Sequence, residues 1–98
     1  MSKTLLVRPE AEEDLGQAYR WYESQRKGLG DDFLLCVESG LARITRNPGR
    51  YRKIHGNIQR ILIDRFPFGI FFIEDEHQLS VLAVLHARRN PSAWKERT

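Results

Sequence analysis

Apolar residues in the first half of the chain recur at intervals of three and four. The apolar positions are Ala11, Leu15, Ala18, Tyr19 and Tyr22 in one stretch and Phe33, Leu34, Val37, Leu41 and Ile44 in the next. Residues at this spacing share one face of an α-helix, so each stretch predicts an amphipathic helix. Only a few residues separate the two stretches, which predicts an antiparallel helix hairpin.

The predicted helices carry recognisable end signals. Pro9 fits the first helical position, and we expect the first helix to run to about Gln25. Gly28 can adopt the left-handed conformation that ends a helix. Asp31 or Asp32 is the expected cap of the second helix, which Asn47, Pro48 and Gly49 then end.

Strand-like runs open the chain and fill its second half. Residues 4–7, 61–63, 68–73 and 79–85 are rich in β-branched, aromatic and aliphatic side chains. The breaks between the later runs are short enough for antiparallel connections. We therefore predict the order β-α-α-β-β-β, with the first strand joining the three later antiparallel strands. The fold class is α+β, a two-layer sandwich with the helix hairpin covering one face of the sheet.

Composition limits what this chain can be. Its 98 residues are 41% hydrophobic and 30% charged, which predicts a single domain spanning residues 1–98. We expect a cytoplasmic protein without a membrane partner, since no apolar run approaches a membrane span and no signal-peptide core is present. The lone Cys36 excludes an intrachain disulfide and a zinc module. No metal or small-molecule cofactor is expected.

Charge is distributed unevenly along the chain. Residues 1–49 carry seven basic and eight acidic side chains, whereas residues 50–98 carry nine and five, a net charge of +4. This asymmetry fits a nucleic acid or acidic polypeptide partner, although a solvated basic face gives the same count. The acidic cluster at residues 10–14 begins a predicted helix and is assigned to the helix dipole.

Four basic residues are candidates for a functional site. The two-residue period of a strand places His86 and Arg88 on one face of the last strand and Arg89 on the other. Arg60, on an earlier strand, joins His86 and Arg88 if the strands pair in a suitable register. Such a set can bind phosphates, transfer protons or hold an acidic peptide; the alternative is a row of solvated strand residues.

Trp94 is a fifth candidate, because it lies in a basic and otherwise polar tail. An aromatic side chain there can stack on bases, anchor a partner or fold back onto the sheet. Nucleotide-binding and hydrolase signatures are absent, since Gly28-Leu29-Gly30 lacks a third glycine and no serine lies in a nucleophile elbow.

Several motifs, taken in order, make nearly the whole chain similar to a known family. They are Arg8-Pro9-Glu10-Ala11-Glu12-Glu13-Asp14-Leu15, Tyr19-Arg20-Trp21-Tyr22, Gly28-Leu29-Gly30-Asp31-Asp32-Phe33, Asn47-Pro48, Arg65-Phe66-Pro67-Phe68, and Val84-Leu85-His86-Ala87-Arg88-Arg89-Asn90-Pro91 with Trp94. The chain resembles the RelE/ParE toxin superfamily of type II toxin–antitoxin systems.

The resemblance implies a bacterial growth-arresting toxin of a plasmid-stabilisation system, neutralised by a cognate antitoxin whose acidic or amphipathic segment wraps it. RelE-like members cut messenger RNA on the ribosome, and the resemblance then implies Arg60, His86 and Arg88 as catalytic residues. ParE-like members inhibit DNA gyrase.

The C-terminal tail favours the ParE-like branch. Trp94 stands where RelE-like members offer a tyrosine, and an indole is neither a general acid nor a general base. The tyrosine-rich first helix and the ending from His86 to Pro91 also look more like ParE. We therefore expect a non-catalytic gyrase inhibitor that binds its partners through Arg60, His86, Arg88, Arg89 and Trp94. The alternatives are a ribosome-dependent mRNA endonuclease and a degenerate toxin that retains only antitoxin binding.

Overall fold

The computed structural model describes residues 3–89 and 91–97. In chain order the elements are β1 (Thr4–Val7), α1 (Pro9–Gln25), α2 (Leu29–Arg46), β2 (Lys53–His55), β3 (Ile58–Leu62), β4 (Phe68–Glu74), β5 (Gln78–His86) and α3 (Ser92–Lys95). A 3₁₀ turn, Pro48–Arg50, follows α2. None of the helices in the described ranges has the length and apolar composition of a membrane span.

The strands form one mixed sheet in the order β1-β5-β4-β3-β2. β1 pairs in parallel with β5, and every other pairing is antiparallel. The predicted α+β class and the strand, helix, helix, strands order are confirmed. The sheet has one strand that the sequence did not predict, the short β2. It pairs with β3, where Lys53 lies opposite Gln59 and His55 opposite Ile58.

The helix hairpin packs on one face of the sheet and forms the larger core. Ala11 and Ala18 of α1 and Phe33, Val37 and Ile44 of α2 are buried there against alternate residues of β3, β4 and β5. These are residues of the predicted apolar stripes, so the periodicity identified the faces that the helices bury.

The junction between the helices differs from the predicted capping. Gly28 adopts a left-handed φ of 90°, as predicted, but it is the N-cap residue of α2. The Glu23 carboxylate accepts the backbone N–H groups of Gly28 and Gly30, both at 2.9 Å. Neither Asp31 nor Asp32 caps α2; both lie in its first turn, where they complement the helix dipole.

The opposite face of the sheet has its own, smaller core. Ile58, Phe71, Leu82, Ala83 and Leu85 are buried there, and Trp94 of α3 covers them. A β-bulge places Leu82 as an extra residue in β5, because Phe71 pairs with Ala83 whereas Phe72 pairs with Val81. The C-terminal segment is therefore part of the folded domain.

A carboxylate and a guanidinium cover the edge of β5 beyond the end of β1. The Asp14 carboxylate accepts the Val84 backbone N–H at 3.0 Å. Arg97 Nη1 lies 2.6 Å from Asp14 Oδ2 and donates to the Leu82 carbonyl at 3.2 Å. The position of Asp14 in the sequence predicts only that it complements the helix dipole. In the structure it also has a second role, which is to cover the edge of β5.

Candidate functional site

A surface cleft lies between α1 and the paired ends of β4 and β5. Its volume is about 350 Å³, and we call it the aromatic cleft; it is lined by Trp21, Tyr22, Pro67, Phe68 and His86. An adjoining cavity of about 240 Å³ shares Trp21, Phe68 and His86 with it and extends to Gln17 and Arg89. Together they form one apolar groove with cationic or ionisable side chains at one end.

Two successive residues of α1 have different roles in this groove. Tyr22 points inward, with its ring 4.9 Å from Phe66 and 5.3 Å from Phe33, and burial raises the pKa of its hydroxyl. Trp21 is 59% exposed and meets Tyr22 edge-on at 5.1 Å. A large aromatic side chain held on a packed neighbour but open to solvent is suited to contact a partner.

His86 is the last residue of β5 and faces the same groove. It pairs with Phe68 across the strands, and the two rings lie 5.7 Å apart. Its Nδ1 accepts the Arg88 backbone N–H at 3.1 Å, so the neutral ring carries its proton on Nε2. The Nε2 side of the ring is consequently the one that can donate to a bound group.

The strand period does not extend past His86, and this changes the predicted grouping of the two following arginines. The Arg89 backbone N–H donates to the His86 carbonyl at 2.9 Å, which closes a turn. Arg89 lines the groove with His86, whereas Arg88 is exposed outside it. The prediction that Arg88 shares a face with His86 while Arg89 lies opposite is wrong for this reason.

Arg60 lies on the other face of the sheet. Its partner in β4 is Phe71, and Phe71 pairs with Ala83, three residues before His86 in β5. Side chains of directly paired residues share a face, so Arg60 belongs to the face that α3 partly covers. The predicted cluster of Arg60 with His86 and Arg88 does not form.

The stem of Arg60 packs across a glycine in the neighbouring strand. Its Cγ and Cδ lie 3.3 Å from the position that a Cβ on Gly69 would take. Arg60 is half-buried by this contact.

Trp94 is buried in the smaller core. Its side chain is 6% exposed and stacks on Phe71 at 5.0 Å with an interplanar angle of 22°. Of the three roles considered for Trp94, folding back onto the sheet is the one that the structure has. A ring in this position is not free to stack on a base or anchor a partner.

Of the predicted site residues, His86 and Arg89 line the groove, and its other walls come from residues that the sequence did not assign to a site. Trp21 and Phe68, which appear in the sequence only as parts of the family motifs, form two of these walls. Asp14, Gln17 and Trp21 follow one another at helical spacing and form a stripe on α1 beside the buried one, which is the signal that would have found the groove. Within residues 3–89 and 91–97, no three His, Cys, Asp or Glu side chains come together as a metal site.

The chemistry of the groove suits binding. Its walls are mostly apolar, His86 offers one hydrogen-bond donor, and Arg89 adds a fixed positive charge. The Asp14 carboxylate in the lining is already paired with Arg97. A peptide with an apolar side chain followed by a carboxylate would satisfy both parts.

Comparison with known proteins bears on what this groove serves. Residues 5–91 match the family model of the ParE toxin of the type II toxin–antitoxin system parDE. No curated protein matches the chain. Among solved structures, a chain of the chromosomal ParDE toxin–antitoxin system from P. aeruginosa superimposes with a TM-score of 0.79 at 13% identity, covering 87% of this chain and 96% of that one. The structural likeness supports the fold; because the family match spans most of the sequence, this chain belongs to the ParE toxin family of type II toxin–antitoxin systems.

Proposed function

We propose that this protein is neutralised by a cognate antitoxin and, when free, arrests growth by inhibiting DNA gyrase in the bacterial cytoplasm. The observation that carries the proposal is the match to the ParE toxin family over residues 5–91. The inhibition is by binding, and the toxin itself catalyses no reaction.

The aromatic cleft is the proposed contact surface for the antitoxin. Trp21 is 59% exposed at its edge, and His86 and Arg89 add a donor and a positive charge at one end of the groove. An amphipathic antitoxin segment would place an apolar side chain beside Trp21 and Phe68 and a carboxylate near Arg89. The net charge of +4 on residues 50–98 favours the same kind of acidic partner.

The placement of Arg60 supports binding over RNA cleavage. An endonuclease of the RelE type must gather its acid–base group and its cations around a single phosphodiester. Arg60 and His86 lie on opposite faces of the sheet. They cannot act together on one phosphate, so the endonuclease alternative loses one of its three residues.

Purified DNA gyrase provides the direct test of the target. We expect the toxin to inhibit supercoiling of relaxed plasmid, and antitoxin added beforehand to restore it. In cells, mapping of RNA 5′ ends soon after induction should show no new ends within coding regions. New codon-phased ends would assign the protein to the ribosome, and normal growth with unaffected gyrase would identify a degenerate toxin.

Trp21→Ala tests the antitoxin surface. Removal of an aromatic anchor from an interface typically costs about 2 kcal/mol of binding free energy, which corresponds to about a 30-fold weaker complex. Leu35→Ala is the matched control, because Leu35 is 63% exposed on α2 and lines neither cavity of the groove. Titration calorimetry with the antitoxin encoded beside this gene measures both variants. Equal affinities for the two would place the antitoxin elsewhere.

A further inference from the structure

A separate cavity lies at the C-terminal end of α2, at the other end of that helix from its junction with α1. Its volume is about 210 Å³, and we call it the arginine cleft; it is lined by Arg43, Arg46, Asn47, Arg50 and Tyr51. The sequence from residue 43 to residue 53 contains five basic and no acidic side chains. This segment thus concentrates the positive charge of the chain.

Arg43 has the most unusual environment in this cleft. Its Nε and Nη2 atoms are sealed from solvent and find no hydrogen-bond acceptor among the described residues. A buried charged donor without an acceptor is unfavourable by about 1–3 kcal/mol or more. Arg43 therefore has hydrogen-bonding capacity that no described residue uses.

The three arginines of the cleft also have no anionic partner within the described part of the chain. Every ion pair found there at 4.0 Å or less involves other residues. The negative end of the α2 dipole favours cations in the last turn, where Arg43 and Arg46 lie. It supplies no acceptor to Nε and Nη2 of Arg43, so the dipole does not account for the cleft.

The main chain beneath the arginines is held in place. Gln59 of β3 is 3% exposed, and its Nε2 donates to the carbonyls of Pro48 at 2.8 Å and Tyr51 at 3.0 Å. These two bonds fix both ends of the turn that carries Arg50. A cation presented on a fixed turn loses less entropy when it binds an anion.

We infer that the arginine cleft binds the phosphate backbone of a nucleic acid, without regard to base sequence. Guanidinium groups bind phosphate oxygens through two parallel hydrogen bonds. Arg43 and Arg46 are three residues apart in α2, about 4.5 Å along the helix axis, so both lie on the same side of the helix. Arg52 and Lys53, both exposed, extend the charge beyond the cleft.

A phosphate backbone fits this cleft better than an acidic protein does. Stable protein interfaces need an apolar centre, and Tyr51 is the one aromatic side chain in the lining. The aromatic cleft, by contrast, is mostly apolar and lies near the junction of α1 and α2. The two sites are separate, so the nucleic-acid site does not depend on the proposed gyrase target or antitoxin surface.

Fluorescence anisotropy with the purified toxin tests this site. The probes are a labelled 20-base-pair DNA duplex and a labelled single-stranded RNA, and the competitor is a polyglutamate peptide. We expect Arg43→Gln with Arg46→Gln to weaken duplex binding about tenfold or more. The slope of log K against log salt should fall in magnitude by about 0.9 for each phosphate that the variant no longer neutralises.

Two controls keep the result interpretable. Arg20→Gln with Arg26→Gln removes the same charge from positions outside the cleft, on α1 and directly after it, and should change neither affinity nor slope by more than about twofold. Arg50→Gln alters an exposed side chain of the same cleft. A loss of binding in this variant therefore cannot be attributed to unfolding caused by the Arg43 substitution.

Each outcome of the titrations has a definite meaning. Loss of binding in the cleft variants alone supports the site, and comparison of the two probes assigns it to duplex or single strand. Equal affinity of all variants would overturn the inference. Cleft-dependent binding of polyglutamate in preference to both nucleic acids would also overturn it, because the partner would then be an acidic protein.

Discussion

Asp14 and Arg97 are 83 residues apart in sequence, yet they form the shortest ion pair of the described residues, with Nη1 and Oδ2 2.6 Å apart. The Asp14 side chain is 9% exposed, and it also accepts the Val84 backbone N–H. Arg97 in turn donates to the carbonyl of the bulged Leu82. Beyond residue 81, β5 has no neighbouring strand on the side of β1. The Asp14–Arg97 pair supplies the hydrogen bonds that a strand would make there.

We expect Arg97→Gln to lower the free energy of unfolding by about 2 kcal/mol, because it leaves a nearly buried carboxylate without its cation. Urea unfolding followed by circular dichroism measures the change. Arg20→Gln removes an arginine of α1 that has no ion pair within the described residues and should stay within about 0.5 kcal/mol of the unmodified chain. An equal decrease in the free energy of unfolding for both variants would mean that the Asp14–Arg97 pair stabilises the fold no more than an unpaired surface arginine does.

At the scale of elements, the two helices approach closely where α2 begins. A Cβ on Gly30 would lie 2.8 Å from the Tyr19 carbonyl oxygen and 2.8 Å from two atoms of its ring. The Tyr19 carbonyl oxygen is a backbone atom, so it cannot move away by a change of side-chain rotamer. Glycine at this position sets the distance between α1 and α2.

Gly30→Ala should therefore lower the free energy of unfolding by about 2 kcal/mol, although alanine is the better helix former. Chemical denaturation checks the value. Gly49→Ala is the matched substitution, because a Cβ there meets nothing within 4 Å, and a change of less than about 0.5 kcal/mol is expected. A Gly30→Ala protein as stable as the Gly49→Ala protein would show that the hairpin can open without cost.

The elements also show how far the sequence could be interpreted. The helices and the longer strands were predictable because their apolar residues repeat at 3.6 or 2 positions over many residues. The strand Lys53–His55 was not, since three residues with an irregular register carry no such period.

The site was less accessible to prediction than the fold. The faces of Arg60 and His86 depend on the pairing of β3, β4 and β5, which a single sequence does not contain. The position of Arg89 depends on a turn that begins directly after His86. The burial of Trp94 depends on an apolar patch on the second face of the sheet, which forms only when β3, β4 and β5 are paired.

The whole molecule has two cores on the two faces of one sheet, and they are closed differently. The helix hairpin covers the larger core, whereas the smaller one depends on Trp94 stacked against Phe71. A domain of this size has a total stability of about 5–15 kcal/mol. One aromatic side chain can consequently decide whether the second face stays closed.

Trp94→Ala should remove about 3–5 kcal/mol of stability, and Trp94→Phe should retain most of it because a ring still covers Phe71. Thermal unfolding by circular dichroism compares the two. If both variants melt like the unmodified chain, the C-terminal segment contributes little to the fold. Trp94→Phe also leaves Trp21 as the one tryptophan, so its fluorescence reports directly on the aromatic cleft.

The parallel pairing of β1 with β5 joins residues 4–7 to residues 78–81. During synthesis on the ribosome, β1 cannot pair until most of the chain has been made, because its neighbour β5 lies near the C-terminus. Long-range pairings of this kind form late and slow the folding of a domain. The fold of the nascent chain is thus incomplete until residues 78–81 have emerged, because the first strand has no partner before then.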